Sequence, residues 1–115
     1  MLGLKLTGTA GLVKGFTFTL PEGAQAVVGR SRSCGISLHA VGKGREDHAF
    51  RAISRRHASV RLLPGGQVEI VDQSRHGTFV DGERIETVVL TDLAVRPHVL
   101  KLGKTDTFRL ELEKP

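Results

Sequence analysis

The sequence predicts an all-β fold, an antiparallel β-sandwich, and three observations carry that reading. Apolar and polar residues alternate with a period of two in several segments, turn residues interrupt the chain at intervals of about ten residues, and no stretch shows the period of an amphipathic helix. Leu2, Leu4 and Leu6 form the first alternating run, Phe16, Phe18 and Leu20 the second, and Phe108, Leu110 and Leu112 the last. Ala26-Val27-Val28, Val88-Val89-Leu90 and Val99-Leu100-Lys101-Leu102 are further short apolar segments. Pro64-Gly65-Gly66 separates Val60–Leu63 from Val68–Val71 and reads as a hairpin. Asp81-Gly82 separates Phe79-Val80 from Glu83-Arg84-Ile85 and predicts a type I′ turn, in which both central residues take positive φ. Both ends of the chain read as strands. His39 to Ile53 has no apolar period and reads as a long exposed loop.

Composition narrows the class. With 115 residues the chain is expected to be a single domain, residues 1–115, and one module of a larger protein. Five Phe with no Trp or Tyr imply a core of Leu, Val and Ile. A lone Cys34 cannot close an internal disulfide, no apolar run reaches the length of a membrane span, and the first residues lack a signal-peptide pattern, so a cytoplasmic location is expected. The net charge of +5 is unevenly placed: Arg30 to Arg61 holds eight Lys/Arg and two Asp/Glu, whereas the rest is close to neutral. Such asymmetry fits an anionic partner, and on charge alone fits a solvated basic surface equally well.

Three segments concentrate polar chemistry. Val28-Gly29-Arg30-Ser31-Arg32-Ser33 ends a strand in a glycine followed by arginine. Ile53-Ser54-Arg55-Arg56-His57-Ala58 precedes a strand. Asp72-Gln73-Ser74-Arg75-His76-Gly77-Thr78-Phe79-Val80-Asp81-Gly82 is a polar loop feeding a hairpin. In this order they resemble the forkhead-associated (FHA) domain family, whose pattern is Gly-Arg after an early strand, then Ser-Arg-x-His, then Ser-x-Asn-Gly-Thr-x-Val-Asn-Gly. The resemblance covers nearly the whole chain. It implies a sandwich of about eleven strands, FHA/SMAD-like, with the three segments as neighbouring loops at one end.

The resemblance further implies a phosphothreonine-binding module. Arg30 matches the arginine that contacts phosphate, Ser54 the serine that donates its hydroxyl to it, and Arg55 a residue making a further phosphate contact. Arg75 and His76 match the two positions that hold the ligand beside the phosphothreonine. Gly29, His57, Gly77 and Thr78 match structural positions: His57 packs beneath the loops, Gly29 and Gly77 serve backbone needs, and Thr78 bonds within its own loop. The chemistry agrees, because a phosphate monoester carries close to two negative charges and a planar guanidinium offers it paired donors. Arg56 is read as an exposed residue at the start of a strand. Arg32 and Ser33 either line the pocket or decorate the loop, and Lys43, Arg45 and Arg51 are read as solvated, on a loop that could reach a ligand. The implied partner is a Thr-phosphorylated protein or peptide in a Ser/Thr kinase pathway, with no membrane and no cofactor.

The sequence departs from the family pattern at His76, which replaces an asparagine; neutral imidazole also has one donor and one acceptor, in a different geometry. A protonated ring there would add charge toward phosphate and strengthen binding at mildly acid pH. Asp81 replaces a second asparagine, the loop from His39 to Ile53 is longer than usual, and Arg96-Pro97-His98 stands where the family has a Gly-Asp turn. The alternatives are a phosphate-independent FHA-like scaffold and a basic nucleic-acid-binding β-domain; the second lacks Tyr or Trp for base stacking. Catalysis is not expected: there is no nucleophile elbow and no P-loop, and the five His and one Cys show no metal-ligand spacing.

Overall fold

The computed structural model describes residues 2–41 and 48–114. Eleven strands run in chain order: β1 (Gly3–Ala10), β2 (Thr17–Pro21), β3 (Gln25–Gly29), β4 (Ile36–Ser37), β5 (Ala58–Leu62), β6 (Val68–Asp72), β7 (Thr78–Val80), β8 (Glu83–Ile85), β9 (Thr87–Leu90), β10 (His98–Leu102) and β11 (Asp106–Glu113). They form two sheets, one ordered β2-β1-β11-β10-β7-β8 and the other β4-β3-β5-β6-β9. Every pairing is antiparallel except β3 with β4, which run parallel. The sandwich expected from the sequence is therefore present, with one mixed sheet.

Alternation builds the core. Leu4 and Leu6 of β1 face inward and lie in register with Leu112 and Leu110 of β11, and with Leu20 and Phe18 of β2. Leu100 of β10 lies between Phe108 and Val80. The facing sheet contributes Val28, Ala58, Val60, Leu62, Val68 and Ile70, all without solvent exposure. Phe18 and Phe108 meet edge to face with ring centroids 6.0 Å apart, the one aromatic pair found among the described residues, in a mainly aliphatic interior.

The terminal strands pair along their length, Gly3 opposite Glu113. The Pro64-Gly65-Gly66 turn joins β5 to β6, and Asp81 (φ 51) with Gly82 (φ 87) joins β7 to β8 with both central residues at positive φ. The reading of His39 to Ile53 as wholly exposed is corrected. One turn of helix, α1 (His48–Arg51), forms there, and Ala52 and Ile53 are buried. Ile53 enters the central core, so the loop's end is anchored while the stretch containing Lys43 and Arg45 lies outside the described residues. Among the described residues no helix is long and apolar enough to cross a membrane.

Candidate functional site

The register brings the three polar segments to one end of the sandwich. Val28 near the end of β3 pairs with Ala58 at the start of β5, which pairs with Asp72 at the end of β6. On the other sheet Thr78 opens β7 opposite Leu102, and the Gly103 N–H donates to the Gly77 carbonyl at 3.0 Å. The loops after β3, before β5 and between β6 and β7 thus share one rim.

Main-chain bonds fasten the first two loops. The Arg30 and Ser31 N–H groups donate to the Ser54 and Arg55 carbonyls, each at 3.1 Å. That approach needs a glycine beside it: a Cβ on Gly29 would stand 2.2 Å from the Arg55 carbonyl oxygen. The thiol of Cys34, 6% exposed, also donates to that carbonyl, at 3.1 Å.

His57 fastens the third loop. Its ring is fully buried; Nδ1 accepts the Ser54 N–H at 3.0 Å, and Nε2 lies 2.8 Å from the Gly77 carbonyl. A nitrogen that accepts from an N–H and one that faces a carbonyl together require the neutral Nε2–H tautomer. Burial pushes the pKa of this histidine below its ordinary value, outweighing the Gly77 carbonyl and the Asp72 charge, which act the other way. The loop also has its own brace. Asp72 Oδ1 accepts from the Ser74 N–H at 2.9 Å, the Ser74 hydroxyl at 2.6 Å and the buried Thr78 hydroxyl at 2.8 Å. Burial opposes its charge, but these donors outweigh it and hold the Asp72 carboxyl below its usual range. Ser74 Oγ in turn accepts the Gly77 N–H at 2.8 Å.

The rim encloses a groove of about 510 Å³ lined by Arg30, Arg51, Ser54, Arg55, Arg56, Arg75 and His76. Arg30 Nε donates to the Ile53 carbonyl at 2.7 Å, which fixes the guanidinium and leaves its two terminal nitrogens for a ligand. Its guanidinium carbon also lies 5.9 Å from the centroid of the Phe50 ring. Ser54 Oγ accepts the Arg75 N–H at 3.0 Å, so one of the hydroxyl's lone pairs is used within the protein and its O–H remains able to donate. All five residues singled out from the sequence as ligand contacts, Arg30, Ser54, Arg55, Arg75 and His76, line this groove; Gly29, His57, Gly77 and Thr78 lie behind it as framework.

Two further residues line the wall: Arg56 and Arg51, both exposed as read from the sequence, also border the groove. Arg56 stands beside Arg55, and Arg51 is carried there by α1; neither placement leaves a periodic signal in the sequence. Arg32 and Ser33, left undecided by the sequence, stand apart from the lining: Arg32 Nε donates to His39 Nε2 at 3.1 Å, and the Ser33 hydroxyl pairs with that of Ser31 at 2.9 Å.

A second polar cluster lies at the other end of β10. His98, 4% exposed, occupies an inward-facing position; its Nδ1 meets Asp81 Oδ2 and its Nε2 meets Asp92 Oδ1, both at 2.5 Å. Arg96 pairs with Asp92 at 2.9 Å. Burial disfavours the charged ring, but the hydrogen bonds and charges of the two carboxylates outweigh it and raise the His98 pKa. Asp81 also accepts the Val99 N–H at 2.9 Å, which closes the region where the family pattern has a Gly-Asp turn.

Comparison with known proteins places this architecture. The FHA family model matches residues 26–103. An FHA domain of a Chlamydia trachomatis protein is 27% identical, with 98% of each chain covered and a TM-score of 0.69. An FHA domain of an Arabidopsis thaliana protein is 22% identical, with 98% of this chain and 87% of the other covered and a TM-score of 0.75. A structure described for phosphothreonine-dependent FHA domain interactions is 24% identical, with 98% of this chain and 97% of the other covered and a TM-score of 0.64. No curated protein sequence matches the chain significantly. The three motifs in order, the two-sheet sandwich that gathers them and the family match over most of the chain agree, and this protein belongs to the FHA domain family.

Proposed function

We propose that this domain binds phosphothreonine on a partner protein or peptide and acts as an interaction module rather than a catalyst. The observation that carries the reading is the groove itself: Arg30, fixed through its Nε, Ser54 and Arg55 line it together, and no carboxylate among the described residues does. A phosphate dianion needs charged, paired donors, and this set supplies them. Arg75 and His76 would hold the peptide chain beside the phosphate. The phosphothreonine-dependent interactions described for the FHA structure at 24% identity support the same reading. The ligand would come from a Ser/Thr kinase pathway, and the domain would work as one module of a larger protein.

Binding to a degenerate phosphothreonine peptide library and its unphosphorylated twin tests this, with wild type and Arg30→Ala side by side. Phospho-selective binding lost in the variant is the expected result. A charge-assisted contact contributes about 1.5–3 kcal/mol, so the loss should be tenfold to more than a hundredfold. Equal binding of both libraries, or Arg30→Ala binding as well as wild type, would overturn it. A second reading rests on His76, whose imidazole stands on the groove wall in place of the family's asparagine amide: the domain would then be a phosphate-independent scaffold. Binding of neither library would favour that reading.

A further inference from the structure

Each sheet of the sandwich ends in two edge strands, and three of these four edges are guarded. β2 closes on Pro21, β4 is two residues long, and β8 is three residues long with Glu83 and Arg84 exposed. Such features keep an unpaired edge from accepting another strand. β9 has none of them. Thr87-Val88-Val89-Leu90 carries no charge, proline or glycine, and it holds an unbroken register with β6, from Thr87 opposite Val71 to Leu90 opposite Val68. Its three β-branched residues suit a strand. Val89 is 44% exposed, one of four large apolar side chains so placed among the described residues.

The hydrogen-bond pattern shows what this edge offers. Just before β9 the Asp72 N–H donates to the Glu86 carbonyl at 2.8 Å, and on the other side of β6 the Gln73 N–H donates to the His57 carbonyl at 2.8 Å. Main-chain groups of an antiparallel strand alternate between its two neighbours. Val88 and Leu90 therefore turn theirs toward β6. Thr87 and Val89 turn theirs outward, where no partner meets them among the described residues. Side chains alternate as well: Leu90 is buried, whereas Thr87 and Val89 stand exposed on the outer face, beside Val71 and Glu69 of β6.

This edge is its own complement. A two-fold axis through Val88 sets Thr87 of each copy opposite Val89 of the other, so every outward N–H meets an outward carbonyl, and Val88 meets Val88 at the closer, non-hydrogen-bonded position. Glu86 falls opposite Leu90, and each Glu69 lies in line with the other copy's Thr87 and Val71, so no like charges oppose one another. We propose that β9 pairs antiparallel with β9 of a second copy of this chain, joining two five-stranded sheets into one continuous sheet. β6 ends at the groove and β9 runs antiparallel to it, so β9 starts there. The two-fold therefore sets the two grooves at opposite ends of the joined sheet, and the dimer bridges two partner molecules instead of gripping neighbouring sites on one. The pairing does not depend on what the groove binds. A pair of four-residue strands covers less than the roughly 1,200 Å² of a stable interface, so the association is weak and reversible.

Analytical ultracentrifugation of the whole chain from about 1 μM to about 1 mM tests this, and the weight-average mass should climb from one chain toward two. Val89→Pro removes an outward donor and no bond to β6, so it should weaken association by about tenfold or more while the protein stays folded. Cysteine pairing reads the register. Across the two-fold the Cα atoms of position 88 stand about 4.5 Å apart, within disulfide reach, and those of position 87 about 8–9 Å apart, beyond it. Under mild oxidation Val88→Cys should form linked dimers about tenfold faster than Thr87→Cys, although Thr87 is the more exposed residue and the buried Cys34 is common to both variants. This comparison decides the matter if Val89→Pro fails to fold. A mass of one chain at every concentration would overturn the proposal and leave the edge to an extended segment of another protein. A dimer that survives in folded Val89→Pro, or that links through position 87 as fast as through position 88, would put the contact elsewhere and overturn it too.

Discussion

Replacing His57 by alanine should unseat two of the three loops that form the groove. The ring is fully buried and links the Ser54 N–H, at 3.0 Å, to the Gly77 carbonyl, at 2.8 Å. Truncation leaves the Ser54 N–H without a partner, at a cost of about 1–3 kcal/mol, and takes from the Gly77 carbonyl one of its two donors, leaving it the Gly103 N–H. Loss of the ring's packing adds to this, while water entering a polar void recovers part of it. The net loss should be about 4 kcal/mol, a large share of the roughly 5–15 kcal/mol that holds a domain folded. At about 4–6 °C per kcal/mol this lowers the melting temperature by roughly 15–25 °C. Urea unfolding followed by circular dichroism reads it as a lower midpoint with an unchanged slope. His57→Gln, whose amide can still donate toward Gly77, should lose about half as much and permit binding measurements on a folded protein. A loss below about 1 kcal/mol for His57→Ala would refute the claim that this ring couples the loops.

Three further outcomes follow from the geometry. Folded His57 takes its proton less readily than the unfolded chain, so its contribution is lost as pH falls below the unfolded value of 6.5; His98 takes its proton more readily, so its contribution is complete below that value and is lost as pH rises through its raised pKa. Stability should therefore peak near pH 6.5, with slopes of at most about 1.4 kcal/mol per pH unit from each ring, and His98→Gln should flatten the alkaline side; urea midpoints between about pH 5 and 9 check this, and a monotonic profile would refute it. Gly29→Ala, which sets a Cβ 2.2 Å from the Arg55 carbonyl oxygen, should push β3 from the start of β5, cost about 1–3 kcal/mol and weaken phosphopeptide binding by about tenfold in calorimetric titration. His76→Asn should tighten phosphothreonine binding by about threefold to tenfold, the value of one neutral hydrogen bond, and unchanged affinity would show that the imidazole already fills the amide's place.

Much of the fold could be read from the chain because most strands have one face buried. Leu4 and Leu6, or Leu100 and Leu102, announce a buried face through simple alternation. β4 escaped because Ile36–Ser37 is too short to alternate, and its parallel pairing needs no hairpin signal. α1 escaped because a single turn has no period. Arg30, Ser54, Arg55, Arg75 and His76 were legible through motif order, which is a property of the chain. Arg51 and Arg56 were not, because reaching the groove depends on how Ala52 and Ile53 anchor the segment behind them. The His98 cluster escaped for a similar reason: Asp81 and Asp92 meet it across the sheet and an adjoining loop, with no spacing that suggests a common site.

Cys34 gives the groove an internal clock. Its thiol is nearly inaccessible and spends its proton on the Arg55 carbonyl, the same oxygen that receives the Ser31 N–H. A thiol reagent can react only in moments when the loops after β3 and before β5 part, so the labelling rate counts those partings against the intrinsic reactivity of a free thiol. Nothing needs to be attached or mutated to install this reporter. A ligand that bridges Arg30 and Arg55 would have to slow it, and the degree of slowing would measure how firmly the two loops are clasped.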